Sequence, residues 1–195
     1  MATDSSTGGA LVPAASPAPL EGDALDNFIQ EWIISLTNVA GQNARPRWQE
    51  DPPNIPPHGT DWLAFGITDV GADSFAAEVH DGAGGAGLGS TQLRRHEVLE
   101  IYTTFYGPNA VDNAKLLRDS AQIAQNHEIL DVNGFGFVDT GELTRVPELI
   151  KSRWVQRVDI TIHLRRQVVR EYSVLNIASA DGTVDNEHSV DPFNT

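Results

Sequence analysis

The sequence contains no cysteine. Disulfides, thiolate nucleophiles, cysteine-ligated zinc and iron–sulfur clusters are therefore excluded, while the redox compartment is left open. No apolar run approaches the roughly 20 residues that cross a bilayer as a helix. The opening stretch MATDSSTGGALVPAASPAPLEGD has neither a basic start nor a continuous apolar segment, so no secretory signal is expected and a soluble protein made inside the cell is. Positive charge is also scarce: 13 Lys and Arg stand against 27 Asp and Glu, a net charge of −14. That balance argues against a general nucleic-acid binder, which must neutralise phosphates, and against an anionic membrane surface. It leaves open a surface that nucleic acid slides past.

What remains is 195 residues, 40% hydrophobic and 21% charged, enough for one domain with a real core. Residues 1–22 form an Ala-, Pro- and Ser-rich arm that cannot by itself offset its ordering entropy. From Asp23 the pattern changes. Leu25, Phe28, Ile29, Trp32, Ile33 and Leu36 repeat with helical spacing, with Asp23 as the expected N-cap and Gly41 as the stop. Residues 42–60 carry Pro46, Pro52, Pro53, Pro56 and Pro57 and read as an extended connection. Strands are expected over 62–70, 74–80 and 93–106, the last two forming a hairpin around the Gly-rich loop 81–90, with Leu99, Ile101, Thr103 and Phe105 on one face.

Pro108 then suits the first turn of a helix reaching His127, with a small-residue stripe of Ala110, Ala114, Leu117, Ala121 and Ala124. Residues 131–147 read as irregular. Residues 153–172 read as one long strand, in which Trp154, Val158, Ile160, Ile162 and Leu164 alternate with polar residues. Twenty residues at ~3.3 Å would span about 65 Å, so such a strand must bend or project. Residues 173–180 continue it or pair with it, and 185–195 form an acidic tail. The expected fold is α+β: a single domain over 23–184, with a mixed, mainly antiparallel sheet of long strands and a hairpin, flanked by about two helices.

Motifs that carry chemistry are few. Gly82-Ala-Gly84-Gly-Ala-Gly87 matches the dinucleotide fingerprint in letters, but a strand follows where the phosphate-binding helix must open, so a loop is expected. Asp131, Asn133, Gly136, Asp139 and Glu142 fall at positions 1, 3, 6, 9 and 12 of a calcium loop. Phe135 occupies a ligand position and Pro147 blocks the exiting helix, so the plainer reading is a turn with Phe135 and Phe137 packed inward. The six histidines form no metal-spaced pair, and no G-x-S-x-G is present. No catalytic residue, cofactor or metal is assigned. The basic residues are uneven: Arg145, Lys151, Arg153, Arg157, Arg165, Arg166 and Arg170 are 7 of the 13, within 26 residues whose only acids are Glu148 and Asp159. A basic strand on an acidic chain suits self-association; a solvated face with local ion pairs is the alternative.

Several segments fall into a known order. Trp62-Leu-Ala-Phe65-Gly-Ile follows the Pro-rich connection; Phe105-Tyr106-Gly107-Pro108-Asn-Ala110 leads into a helix with Leu117-Arg118-Asp119 and Gln122-Ile-Ala-Gln125-Asn126; Pro147-Glu-Leu149 precedes Arg153-Trp154-Val-Gln-Arg157-Val-Asp159-Ile. Over residues 25–184 this resembles the neck (tail) terminator proteins of tailed bacteriophages. The resemblance implies a structural virion protein, not an enzyme. It implies a compact α/β domain forming a ring of usually six copies, which caps the tail tube, docks the head connector and lets genomic DNA pass without specific binding. Contacts between copies are expected through Arg153, Arg157, Arg165 and Arg166, the loop holding Gly84 and Gly87, and the arm, with edge pairing between long strands. A head-closure or tail-tube subunit is the nearer alternative, a calcium- or nucleotide-binding enzyme the more remote one.

Overall fold

The computed structural model describes residues 5–6, 8–14, 18–84 and 87–177; the acidic tail 185–195 and residues 178–184 lie outside the described residues. The fold is α+β, built on a mixed, mostly antiparallel sheet. In chain order come α1 (Gly22–Ser35), β1 (Ala44–Pro46), β2 (Trp62–Ala72), β3 (Ala77–Asp81), β4 (Ser90–Tyr106), α2 (Ala110–Ser120) and α3 (Glu128–Val132). Then come β5 (Phe135–Thr140), β6 (Thr144–Arg145), β7 (Glu148–Ile150), β8 (Arg153–Val155) and β9 (Arg157–Ser173). The main sheet runs β1-β2-β4-β9-β5, with β3 paired to β4 and β6 to β9; β7 and β8 form a separate hairpin. The chain divides into a larger unit, residues 17–77 and 93–169, and a smaller one, residues 1–16, 78–92 and 170–195.

In the larger unit, the alternation read from the sequence sets the layers. Leu99, Ile101, Thr103 and Phe105 of β4 are fully buried, as are Leu63 and Phe65 of β2; Val158, Ile160, Ile162 and Leu164 of β9 join them. Each apolar side chain so buried is worth roughly 1.5–3 kcal/mol. α1 covers this face with Leu25, Phe28, Ile29, Trp32 and Ile33. The buried Trp32 indole donates from Nε1 to the Asn126 carbonyl at 3.1 Å, so its polar atom is not left unpaired. α2 adds Ala110, Ala114 and Leu117.

The start of α1 differs from expectation. The N-cap position is Glu21, not Asp23, and no side chain caps it. Arg166 fixes this end instead: its guanidinium donates to the Leu20 carbonyl at 2.7 Å, to the Glu21 carboxylate, and to Glu97 at 2.8 Å. The β9 alternation runs on past Leu164, so Arg166 points to the apolar side where the core ends, and it is buried. Its two carboxylate partners make that position tenable. α1 also stops at Ser35, well before Gly41. The Ser35 hydroxyl donates to the Trp32 carbonyl at 2.7 Å, Leu36 closes the helix, and Gly41 opens a short 3₁₀ turn.

The expected helix 108–127 is broken into pieces. α2 ends at Ser120, a 3₁₀ turn follows over Ala124–His127, and α3 is separate. Side chains from the turn intercept the helix-end carbonyls: Asn126 Nδ2 donates to Ser120 O at 2.8 Å, and the His127 ring lies 2.6 Å from Ala121 O. Ala124 is exposed in that turn and does not extend the small-residue stripe.

Residues 131–147 are not irregular. β5 pairs antiparallel with β9, Phe135 opposite Arg166 and Phe137 opposite Leu164, and β6 pairs with β9 through Thr144 and Asp159. Phe135 is buried and stacks on Phe28, while Phe137 packs against the core. This strand conformation is incompatible with a calcium loop winding through the same residues. The long strand is divided as well. It breaks at Gln156, whose carbonyl accepts from the Gly107 amide at 3.2 Å. Trp154 belongs to the β7–β8 hairpin and is 71% exposed, against the buried position expected. β9 lies inside the sheet, flanked by β4 and by β5 and β6, so it is not an edge.

In the smaller unit the strand 74–80 is shorter than expected and starts at Ala77, but the hairpin with β4 is present. β9 ends at Ser173. Beyond it, Val174 N donates to Gly89 O at 3.1 Å and Asn176 N to Gly87 O at 2.8 Å, so residues 174–176 pair with the Gly-rich loop. Ala14 N donates to Glu171 O at 2.8 Å, and Leu175 N to the Ser5 hydroxyl at 2.7 Å.

The junction between β4 and α2 depends on one glycine. Gly107 has φ of 112°, and a Cβ there would stand 2.5 Å from Asp61 Oδ1 and 2.7 Å from Thr60 O. Asp61 is itself committed, accepting from Asn109 N at 2.9 Å and Asn109 Nδ2 at 2.8 Å. Gly107→Ala is therefore expected to lower stability by about 2–4 kcal/mol, through the forbidden φ and the displaced Asp61. Urea unfolding of the two proteins measures this.

Candidate functional site

The face of the larger unit's sheet opposite the helices carries a band of alternating cations and aromatic rings. The Arg45 guanidinium lies 6.0 Å from the Trp62 ring centre. Trp62 stacks on Tyr106 at 4.0 Å, the two being directly opposed across β2 and β4. Arg157 sits 6.0 Å from the Tyr106 ring, and Arg47 lies 5.1 Å from the Tyr102 ring. Cation–ring contacts of this kind each contribute about 0.5–2 kcal/mol, more where water is excluded. Trp48 adds its ring above Gly66, where a Cβ would come within 2.5 Å of it, so only a glycine admits this stacking.

Arg157 and Asp159 form the charged centre of the band. The guanidinium meets the carboxylate through two parallel bonds, Nε to Oδ1 at 2.9 Å and Nη2 to Oδ2 at 3.0 Å, and reaches Glu148 at 3.2 Å. Asp159 is buried. Burial pushes its carboxyl upward, but hydrogen bonds from Arg157, Tyr102 and Thr104 outweigh that and hold it below the ordinary range. The same bond to Asp159 raises the Arg157 guanidinium further, so it stays charged. Burial raises both the Tyr102 and Tyr106 phenols, which stay neutral. These groups satisfy one another. The arrangement holds strands together and presents no nucleophile beside a base.

Next to this band lies a cleft of about 670 Å³ between the Pro-rich segment 55–60 and the β7–β8 hairpin, floored by Trp62 and Pro108. The hairpin is turned by Lys151 and Ser152, with φ of 48° and 61°. Two consecutive positive values define the tight turn usually made by Asn-Gly. Leu149 and Trp154 pair across the hairpin and are both exposed. Lys151 and Arg153 stand at the cleft, and neither forms an ion pair among the described residues.

The residues singled out from the sequence do not form one cluster. Arg153 is exposed at the cleft, and Arg165 is exposed on β9 opposite Gly136. Arg157 is bound into the ion-pair network, and Arg166 is buried at the start of α1. In the smaller unit, Gly87 accepts from Asn176, and Gly84 is closed in by Leu88, whose carbonyl a Cβ would strike at 2.2 Å. Sequence reasoning missed Arg45, Arg47 and the Trp62–Tyr106 stack, because cross-strand partners depend on register. It also missed the hairpin; the two short runs about Lys151-Ser152 were a usable signal without the usual turn residues.

The chain belongs to the family described as Phage neck terminator protein, whose sequence model matches residues 23–188. It is thus a structural protein of the bacteriophage neck, and the resemblance read over residues 25–184 is borne out. No curated protein matches the chain. No helix among the described residues is long and apolar enough to cross a membrane.

Two predictions follow from the local geometry. A carboxyl held low in the fold contributes stability that is complete above its unfolded value near 3.9 and disappears as pH falls through the folded value. Asp159→Asn is therefore expected to cost about 2–4 kcal/mol at pH 7, with the gap to wild type narrowing below about pH 4. Urea titrations at both pH values test the sign. Replacing Lys151-Ser152 with Asn-Gly should raise stability by about 1 kcal/mol, because the turn then uses residues suited to positive φ. The melting temperature reports it.

Proposed function

We propose that copies of this chain, six in number, form a ring that caps the tail tube and offers its other side to the head connector, with genomic DNA passing through the lumen. Membership of the neck terminator family over residues 23–188 carries this reading. The exposed Leu149–Trp154 pair and the cleft beside it support self-association, since apolar surface of this kind marks interaction sites. Contacts between copies draw on the exposed Arg153 and Arg165 and on the loop of Gly84 and Gly87; Arg157 and Arg166 serve the protomer. Part of the −14 charge faces the lumen in this reading and keeps the genome from adhering in transit.

A head-closure or tail-tube subunit is the second reading, and copy number separates them: a tube subunit stacks into many rings, a terminator ring occurs once per particle. Electron microscopy of particles made with this gene silenced is expected to show overlong tails, or finished tails and filled heads that do not join. Normal particles would remove the assignment. Reversing lumenal acidic residues is expected to slow DNA ejection, and an unchanged rate would refute the lumenal charge.

A further inference from the structure

Phe75 is 92% exposed, the most exposed large apolar side chain among the described residues. It lies in the connection between β2 and β3, and a tight turn does not require an aromatic residue there. The connection is anchored, not loose. Asp73 N donates to His96 O at 3.0 Å, the Asp73 carboxylate accepts from His96 N at 3.3 Å, and Arg95 donates to the Asp73 carbonyl at 3.2 Å. The ring is therefore presented on a held support. Its surroundings are acidic on balance: Asp69, Asp73, Glu78 and Asp81 precede or follow it in the chain, against Arg95, whose guanidinium is held at the Asp73 carbonyl.

The cleft has the complementary character. Pro56, Pro57, Trp62, Pro108, Ile150 and Trp154 give it apolar walls, and Lys151 and Arg153 give it a basic rim. Its size of about 670 Å³ falls in the range of roughly 300–1,000 Å³ that encloses a ligand-sized group. The two features cannot meet within one copy. Trp62 opens β2 and Ala72 closes it, ten steps of ~3.3 Å apart, so knob and cleft are separated by about 30 Å.

We propose that Phe75 of one copy seats in the cleft of the next, its acidic flanks against Lys151 and Arg153. Such a contact joins two different surfaces, head to tail, and so generates a closed ring when the rotation between copies closes. The inference rests on the ring reading above and names the surfaces that make it.

The cysteine-free chain permits a direct test, because every introduced thiol is unique. Ser74→Cys sits beside the knob and Ser152→Cys in the hairpin turn next to the cleft, leaving Phe75, Lys151, Arg153 and Trp154 in place. Treated with a short bismaleimide, the double variant is expected to give a ladder of linked copies on a denaturing gel, while each single variant gives none. Phe75→Asp, at an exposed position, should leave the circular dichroism and melting temperature unchanged. It should raise the concentration at which half the protein is assembled by at least about tenfold. Native mass spectrometry of the wild type separates the two levels of the argument. A ring without a ladder, or one unaffected by Phe75→Asp, overturns this contact and leaves the ring. A wild type that stays monomeric at every concentration overturns both. Protection of the Ser152→Cys thiol only when tail tube protein is added would assign the cleft to that partner and also overturn the contact.

Discussion

The apolar face shared by β2, β4 and β9 is what α1 and α2 exist to cover. Leu63 and Phe65, Leu99, Ile101 and Phe105, and Val158 to Leu164 reach it because side chains alternate along a strand. A shift of one residue in any of these pairings would send the apolar set to the polar face and Tyr102, Thr104 and Asp159 inward. The bidentate Arg157–Asp159 pair follows from the same parity. It sits two residues apart on one strand, on the side where Tyr102 and Thr104 supply the remaining hydrogen bonds.

That dependence explains what could be read in advance. The buried residues of β4 and β9, the helical stripe of α1 and the family itself were legible, because each is carried by a local pattern or by a sequence of short motifs. β5 was hidden by Gly134 and Gly141, which flank it, and by Gly136 inside it, a six-residue run that only the pairing with β9 makes a strand. The break at Gln156 was hidden for the opposite reason. Trp154 and Val158 keep one phase on either side of it, so a single polar residue reads as a lapse in one strand, where the Gly107 contact and the β7–β8 pairing in fact end it. Trp154 was therefore placed in the core when it belongs to an exposed hairpin.

The candidate site was less legible than the fold. Charge clustering pointed to residues 145–170, but charge alone does not distinguish an arginine that holds the protomer from one that faces outward. Arg166 and Arg165 are adjacent in sequence and opposite in fate: one is buried between two carboxylates, the other exposed. The cleft is made by segments about 90 residues apart, the Pro-rich stretch and the hairpin, so no window of sequence contains it.

The sheet's borders are short. At one end β1 has three residues and finishes at Pro46, which has no amide hydrogen to offer; at the other, β5 shifts register between Phe137 and Asp139 and gives way to the two-residue β6. A border of this kind offers little template for another strand. At these two ends, a neighbouring copy meets side chains and finds little free backbone to pair with.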